Sequence, residues 1–149
     1  MIKDTLKLKG ELTIVVKDKD GKVKETRKEK NLVVNAGLTY ICSRMTSTAA
    51  SAMTHMAVGS GTTAPSGSQT DLVSILGVRE PLDSSTSSSN TVTYTSSFEA
   101  GEGTGAVTEA GIFNASTGGT MLCRTTFPVV NKGANDTMAI TWTITLSAA

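Results

Sequence analysis

The chain has 149 residues, enough for one domain with its own core and no need of metals or disulfides to hold it. Apolar residues make up 38% and aromatic residues only 4%, so the core must be built from Val, Ile, Leu and Met. The formal net charge of +1 hides an uneven distribution: residues 1–30 carry ten Lys or Arg against six Asp or Glu, and the rest carries four against seven.

A basic N-terminal segment can seek nucleic acid or an acidic protein surface. The six interspersed acids, and the lack of aromatic residues among the lysines to stack on bases, speak against nucleic acid. Leu6, Leu8, Leu12, Ile14 and Val16 alternate with polar residues, the period of a half-buried strand. An Asp-Gly turn signal at Asp20-Gly21 follows, and a second strand returns over Val23–Val34, so residues 1–34 are expected as a charged hairpin at the edge of the domain or projecting from it. Its apolar face, Leu6 to Ile14, reads equally as core or as interface.

Asn35 can cap a short helix, on which Leu38, Ile41, Cys42 and Met45 form one stripe expected to face the core. A short strand over Met53–Val58 leads into the small-residue loop Gly59–Ser68. A second small-residue segment, DSSTSSSN at 83–90, connects to a strand at Thr91–Phe98 with Val92, Tyr94 and Phe98 on one face. After the glycine-rich bend 99–107, Gly111–Phe113 and Met121–Cys123 flank a turn-forming run, a hairpin by its composition. Met138, Ile140, Trp142, Ile144 and Leu146 then alternate with Ala and Thr, the plainest strand signal in the chain and one that buries Trp142.

With 24 Thr and 16 Ser, together about 27% of the residues, the composition favours strands and turns. The expected fold is all-β, a single-domain β-sandwich of about six to seven strands over 1–149, with the N-terminal hairpin and one short helix.

Chemistry is hard to place on this pattern. His55 is the one histidine and has no carboxylate beside it in sequence, so it reads as structural. The loop 59–68 matches a phosphate cradle in composition but lacks its Gly-Lys-Ser/Thr ending, and GEGTGA at 101–106 is not followed by a helix. Glu99, Glu102 and Glu109 do not have the spacing of a calcium loop. Glu109 and Arg124 can form a cross-strand ion pair, worth about 0.2–1 kcal/mol if exposed. Cys42 and Cys123 read as small core residues, though a disulfide between them is compatible with the sequence. Asn114 and Asn135 open glycosylation-type triplets that, without a secretory signal, mark surface turns. No signal peptide is visible at the start, and nowhere do about 18 apolar residues run together, so a soluble chain made in the cytoplasm is expected, with no catalytic, cofactor or metal residues.

The segments MAVGSGTTAPSGSQTDL, with Arg79 beyond it, and VTYTSSFEAGEGTGAVTEAGIFNASTGGTMLCRTTFPVVNKGANDTMAITWTITL resemble small virion structural proteins of tailed bacteriophages. Similar pieces occur in tail-collar fibre domains, and the KNLVVNAGL stretch also resembles the amino end of that group. The resemblance covers about residues 53–147. It implies a non-enzymatic particle component, first a capsid decoration protein on the major capsid protein lattice, and second a tail-fibre, collar or baseplate component that contacts tail proteins or a receptor. It also implies localisation in the virion, synthesis in the host cytoplasm, phage capsid or tail proteins as partners and a homo-oligomeric state. Small-molecule substrate, nucleic acid and membrane are not expected partners. The expected contact residues are Lys17, Lys19, Lys22, Lys24, Arg27, Lys28 and Lys30 on the hairpin, then Thr62 and Thr63 in the loop.

Overall fold

Threonines and other β-branched residues alternating with apolar ones fix strands by making one face insoluble, and nine strands form among the described residues. The computed structural model describes residues 6–148; Met1–Thr5, the start of the expected hairpin, and Ala149 lie outside the described residues. The strands are β1 (Leu6–Lys17), β2 (Val23–Val33), β3 (His55–Gly59), β4 (Glu80–Pro81), β5 (Ser84–Ser88), β6 (Thr91–Phe98), β7 (Gly105–Phe113), β8 (Met121–Lys132) and β9 (Thr137–Ala148). One helix, α1 (Asn35–Ser43), follows β2.

The all-β expectation describes the chain at this level. Its strands make one curled antiparallel sheet in the order β4-β3-β7-β8-β2-β1-β9-β6-β5. The count of six to seven is corrected to nine by β4 and β5, which hydropathy could not reveal: every residue of β5 is exposed. Such a strand is held by its ladder to β6, from Ser84 opposite Thr95 to Ser88 opposite Thr91, and needs no apolar alternation. The chain between β4 and β5 joins the two ends of the sheet. Leu82 N–H donates to Thr54 O (2.9 Å) on one side, and Asp83 N–H donates to Thr95 O (2.8 Å) on the other.

The curl encloses the core. Leu12, Ile14 and Val16 of β1, Phe98 of β6 and Ile140, Trp142 and Ile144 of β9 meet Met56, Val58, Val107, Ile112, Leu122 and Val130 from the opposite half. A smaller cluster, Val34, Ala57, Phe113 and Met121, sits apart from it. Trp142 is fully buried, and its indole N–H donates to Asn31 Oδ1 (2.9 Å). Gly10 leaves the space in which that amide lies, since a Cβ there would overlap the Asn31 side chain.

The hairpin is built into the sheet. β1 pairs along its whole length with β9, from Leu6 opposite Ala148 to Lys17 opposite Thr137, and on its other side with β2. The turn is an Asp18 device: its Oδ1 accepts from Asp20 N–H (2.9 Å) and Lys22 N–H (3.0 Å), and Gly21 adopts φ 82°. β2 pairs with β8 only at Leu32 and Val33, so the long remainder of its outer edge has no ladder partner among the described residues. Leu12 and Ile14 are therefore core, whereas Leu6 is exposed.

Helix α1 presents a different face from the one its apolar stripe implies. Gly37 and Tyr40 are its buried residues, while Leu38 is 41% and Met45 84% exposed, and Cys42 is on the surface. The reason is steric. Gly37 lies so close to the Leu122 carbonyl that no side chain fits between them, which turns the helix about its axis and brings Leu38 outward. The N-cap is Val34, without a side-chain cap bond, and Asn35 is the first helical residue. Cys42 is thus no core residue; Cys123 is one, and both thiols are free.

Candidate interaction surfaces

On a strand, neighbours in sequence face opposite sides, so the mixed charges of the hairpin are separated by the pleat. Opposite Leu12, Ile14 and Val16 stand Glu29, Arg27 and Glu25, on the core side of β2. Arg27 is half-buried between the two carboxylates, with Nη2 2.8 Å from Glu25 Oε1 and Nη1 3.7 Å from Glu29 Oε1. It also donates to Pro128 O (2.8 Å) across the gap to β8. Inward charges of this kind discourage a further strand from adding to the open edge.

The other side of the hairpin is basic. Lys7, Lys9 and Lys17 of β1 and Lys28 and Lys30 of β2 are exposed and, among the described residues of the two strands, share the outer face with a single carboxylate, Glu11. The same face continues across β9, β6 and β5 as rows of hydroxyls in register. One row runs Ser84, Thr95, Thr141, Thr13, Lys28; the next runs Thr86, Thr93, Thr143, Glu11, Lys30; a third runs Ser88, Thr91, Thr145, Lys9. Rows lie about 6.8 Å apart along each strand, and strands about 4.8 Å apart. The result is a hydroxyl lattice with a lysine margin on the outside of the curled sheet.

Of the contact residues expected on the hairpin, Lys17, Lys19, Lys22, Lys24, Lys28 and Lys30 are exposed. Arg27 is turned inward as described. Lys24 falls at the β-bulge between Val16 and Lys17 and binds Asp136 (2.6 Å), whose carboxyl is held below its usual range by that ammonium and by Gly133 N–H. Lys24 stays exposed while paired, so among the seven hairpin cations only Arg27 faces inward.

Loop 59–79 forms the second surface, and its order comes from a buried ion pair. Glu109 Oε1 accepts from Gly61 N–H (3.0 Å) and Ser74 N–H (2.7 Å), and Oε2 accepts from Val73 N–H (3.0 Å) and from Arg124 Nε (2.9 Å) and Nη2 (2.7 Å). Arg124 Nη1 continues to Thr63 O (2.9 Å) and Gln69 Oε1 (3.0 Å). Both side chains are 0% exposed. Burial raises the Glu109 carboxyl, but the amides of Ser74 and Val73, the Arg124 guanidinium and the Gly61 amide outweigh it and hold it below its usual range. The glycine-rich loop is an anion cradle, and the anion it holds is a carboxylate of its own chain. A Cβ at Gly59 or Gly61 would collide with that carboxylate.

The anticipated cross-strand pair therefore exists, but it is buried and diagonal: Glu109 stands opposite Thr126, and Arg124 opposite Gly111. A lone charge inside each of two apolar runs, VTEAGIF and MLCRTTF, is the signal for it in sequence. Arg79 was not foreseen as a structural centre. Its guanidinium lies 3.6 Å above the Phe113 ring and donates to Ala115 O (3.0 Å) and Gly118 O (2.7 Å), clamping the loop to the β7–β8 turn. Beside this clamp Val73, Ile75 and Val78 are exposed, and Thr62 and Thr63 lie on the surface farther along the loop.

The remaining titratable groups lie apart. His55 is half-buried in β3 with Nδ1 2.7 Å from Thr54 Oγ1. Lys132 is buried and donates to Glu99 O (2.9 Å); burial lowers its basicity against the opposing pull of Asp136, Glu102 and Glu99. Among the described residues no group of three or more His, Cys, Asp or Glu is placed to hold a metal ion, and no helix is long and apolar enough to cross a membrane. No family model, curated protein or solved structure matches the chain.

Proposed function

We propose that the chain is a non-enzymatic bacteriophage virion protein, a capsid decoration protein that binds the outer surface of the major capsid protein lattice, in the virion and as a homo-oligomer. The observation that carries the reading is the outer face of the β1–β2 hairpin, where five lysines gather against one carboxylate beside rows of hydroxyls. A positively charged surface without aromatic residues complements an extended acidic protein surface: charge steers the approach and hydroxyls supply adaptable hydrogen bonds. The resemblance of residues 53–147 to phage structural proteins supports the same reading. In its finer architecture the fold belongs to the sandwich type, with the two halves of the curled sheet as layers and β2 passing between them.

A second reading, a tail-fibre, collar or baseplate component, is favoured by the clamped loop, which holds Val73, Ile75 and Val78 in a fixed exposed group next to the 116–118 turn. Copies per purified particle, counted by quantitative mass spectrometry against the coat protein, separate the two. A stoichiometry that tracks coat subunits supports decoration, and a far smaller one supports the tail. Absence from particles overturns both. In the decoration case Lys28→Glu with Lys30→Glu is expected to abolish rebinding to stripped capsids, with wild-type binding weakening as salt rises.

A further inference from the structure

The open edges of the sheet are guarded unequally. β4, at one end, is two residues long and closes on Pro81, which has no N–H to offer a further strand. The open edge of β2 carries the inward charges of Glu25, Arg27 and Glu29. β5, at the other end, has none of these devices. Its residues Ser84–Ser88 are all exposed, include no charge or proline, and among the described residues have a ladder to β6 on one side alone, in regular register.

Nor is β5 loose. Just before it, Asp83 N–H donates to Thr95 O (2.8 Å) and Asp83 Oδ2 accepts from Ser97 Oγ (2.6 Å). Just past it, Asn90 is tied twice to β9: its O accepts from Leu146 N–H (2.9 Å), and its Nδ2 donates to Leu146 O (2.8 Å). The turn between β5 and β6 holds Ser89 at φ 55°, which a non-glycine residue adopts at a cost. A strand with nothing apolar to bury is thus pinned in extended form at both ends. Its outer backbone groups are ordered in advance, which lowers the entropy a partner strand has to overcome.

We propose that β5 pairs with β5 of a second copy about a two-fold axis, an interface that rests on the homo-oligomeric part of the reading above and gives it a place. An antiparallel strand is its own complement across such an axis. The register centred on Thr86 pairs all five residues, with Ser84 opposite Ser88 of the second copy and Thr86 opposite Thr86. It also keeps outer residues beside outer residues, since a slip by one would turn one sheet over. No like charges meet, because Asp83 falls opposite Ser89. The hydroxyl rows then run on from one copy into the next, with a lysine margin at each far end. A different protein would find neither pocket nor charge on Ser84–Ser88 by which to be recognised, whereas identical small side chains fit one another at every position.

The test is sedimentation of the free 149-residue chain over a concentration series, with amide hydrogen exchange followed in parallel. A dimer is expected with a dissociation constant on the order of 100 μM, because so short a strand pair lies at the low end of specific interface areas. Exchange at Ser84–Ser88 is expected to slow as concentration rises, while that at Thr26 and Lys28, on the guarded edge, stays the same. Thr86→Lys sets two ammonium groups opposite each other at an exposed position and is expected to weaken the dimer by about tenfold or more. Thr26→Lys is expected to leave it unchanged. A chain that stays monomeric up to about 1 mM, a dimer that Thr86→Lys does not weaken, or protection that falls outside β5 overturns the interface. With no capsid present, each of these results stands apart from the copy number in particles, so failure of this interface and failure of the decoration reading are told apart.

Discussion

Glu109 lies in β7 between Thr108 and Ala110, and its carboxylate accepts five hydrogen bonds, three of them from backbone amides of one loop. A carboxylate so placed both neutralises Arg124 and substitutes for the secondary structure that residues 60–79 lack. Glu109→Ala leaves the buried Arg124 guanidinium without its counter-charge and three amides without partners, a loss of about 3–5 kcal/mol by the cost of breaking a buried pair from one side. Guanidinium unfolding measures it, and limited proteolysis should show new cleavage within 60–76. Arg124→Met removes the cation but keeps the amide bonds, so its loop is expected to resist the protease longer. The presence of these two charges was legible in the sequence. Their burial was not, because it depends on a loop folding over the outside of β7 and β8, to which hydrophobic periodicity is blind.

Among the elements, α1 shows how a correct assignment can still face the wrong way. Leu38, Ile41, Cys42 and Met45 form a real stripe, but a helix docks where its backbone can approach closest, and here that is Gly37 against Leu122. Gly37→Ala is expected to push the helix off β8 and destabilise the chain by about 1–3 kcal/mol, the usual cost of overpacking, although alanine favours an isolated helix. A chemical-denaturation midpoint that rises instead would show that propensity outweighs docking. The hairpin was legible from Leu6 onward because its alternation and its Asp-Gly turn agree. What sequence counting missed is that period two sorts charges as well as apolar residues. Six acids among ten bases look balanced along the chain, yet Glu25 and Glu29 face Arg27 on one side of β2 while Lys28 and Lys30 face the other.

For the whole molecule, the acid response follows from its depressed carboxyls. Glu109 is held below its usual value of 4.5 and Asp136 below 3.8. A carboxyl whose folded pKa lies below its unfolded one contributes stability that is complete above the unfolded value and is lost as pH falls through the folded one. Denaturation midpoints should hold level from neutral pH down to about 5 and then fall, and Glu109→Gln should flatten that fall. A midpoint independent of pH across that range would contradict the buried pair. The all-β class was legible from threonine content and alternation; the single curled sheet was not, because its ends are joined through β4 and β5, short exposed strands with no apolar pattern of their own.

The pairing of β1 with β9 has a mechanical consequence. Leu6 and Ala148 are opposite residues at the same end of that ladder, so tension applied between them opens the ladder one bond at a time, like a zipper. Tension between Asp20, at the far end of β1, and Ala148 loads the same bonds together, in shear. Pulling the chain by its described ends is therefore expected to unfold it at a lower force in single-molecule experiments than pulling through the hairpin turn. Anchored through the β1–β2 turn, the molecule would meet stress along its strong axis; held by its described ends, it would peel.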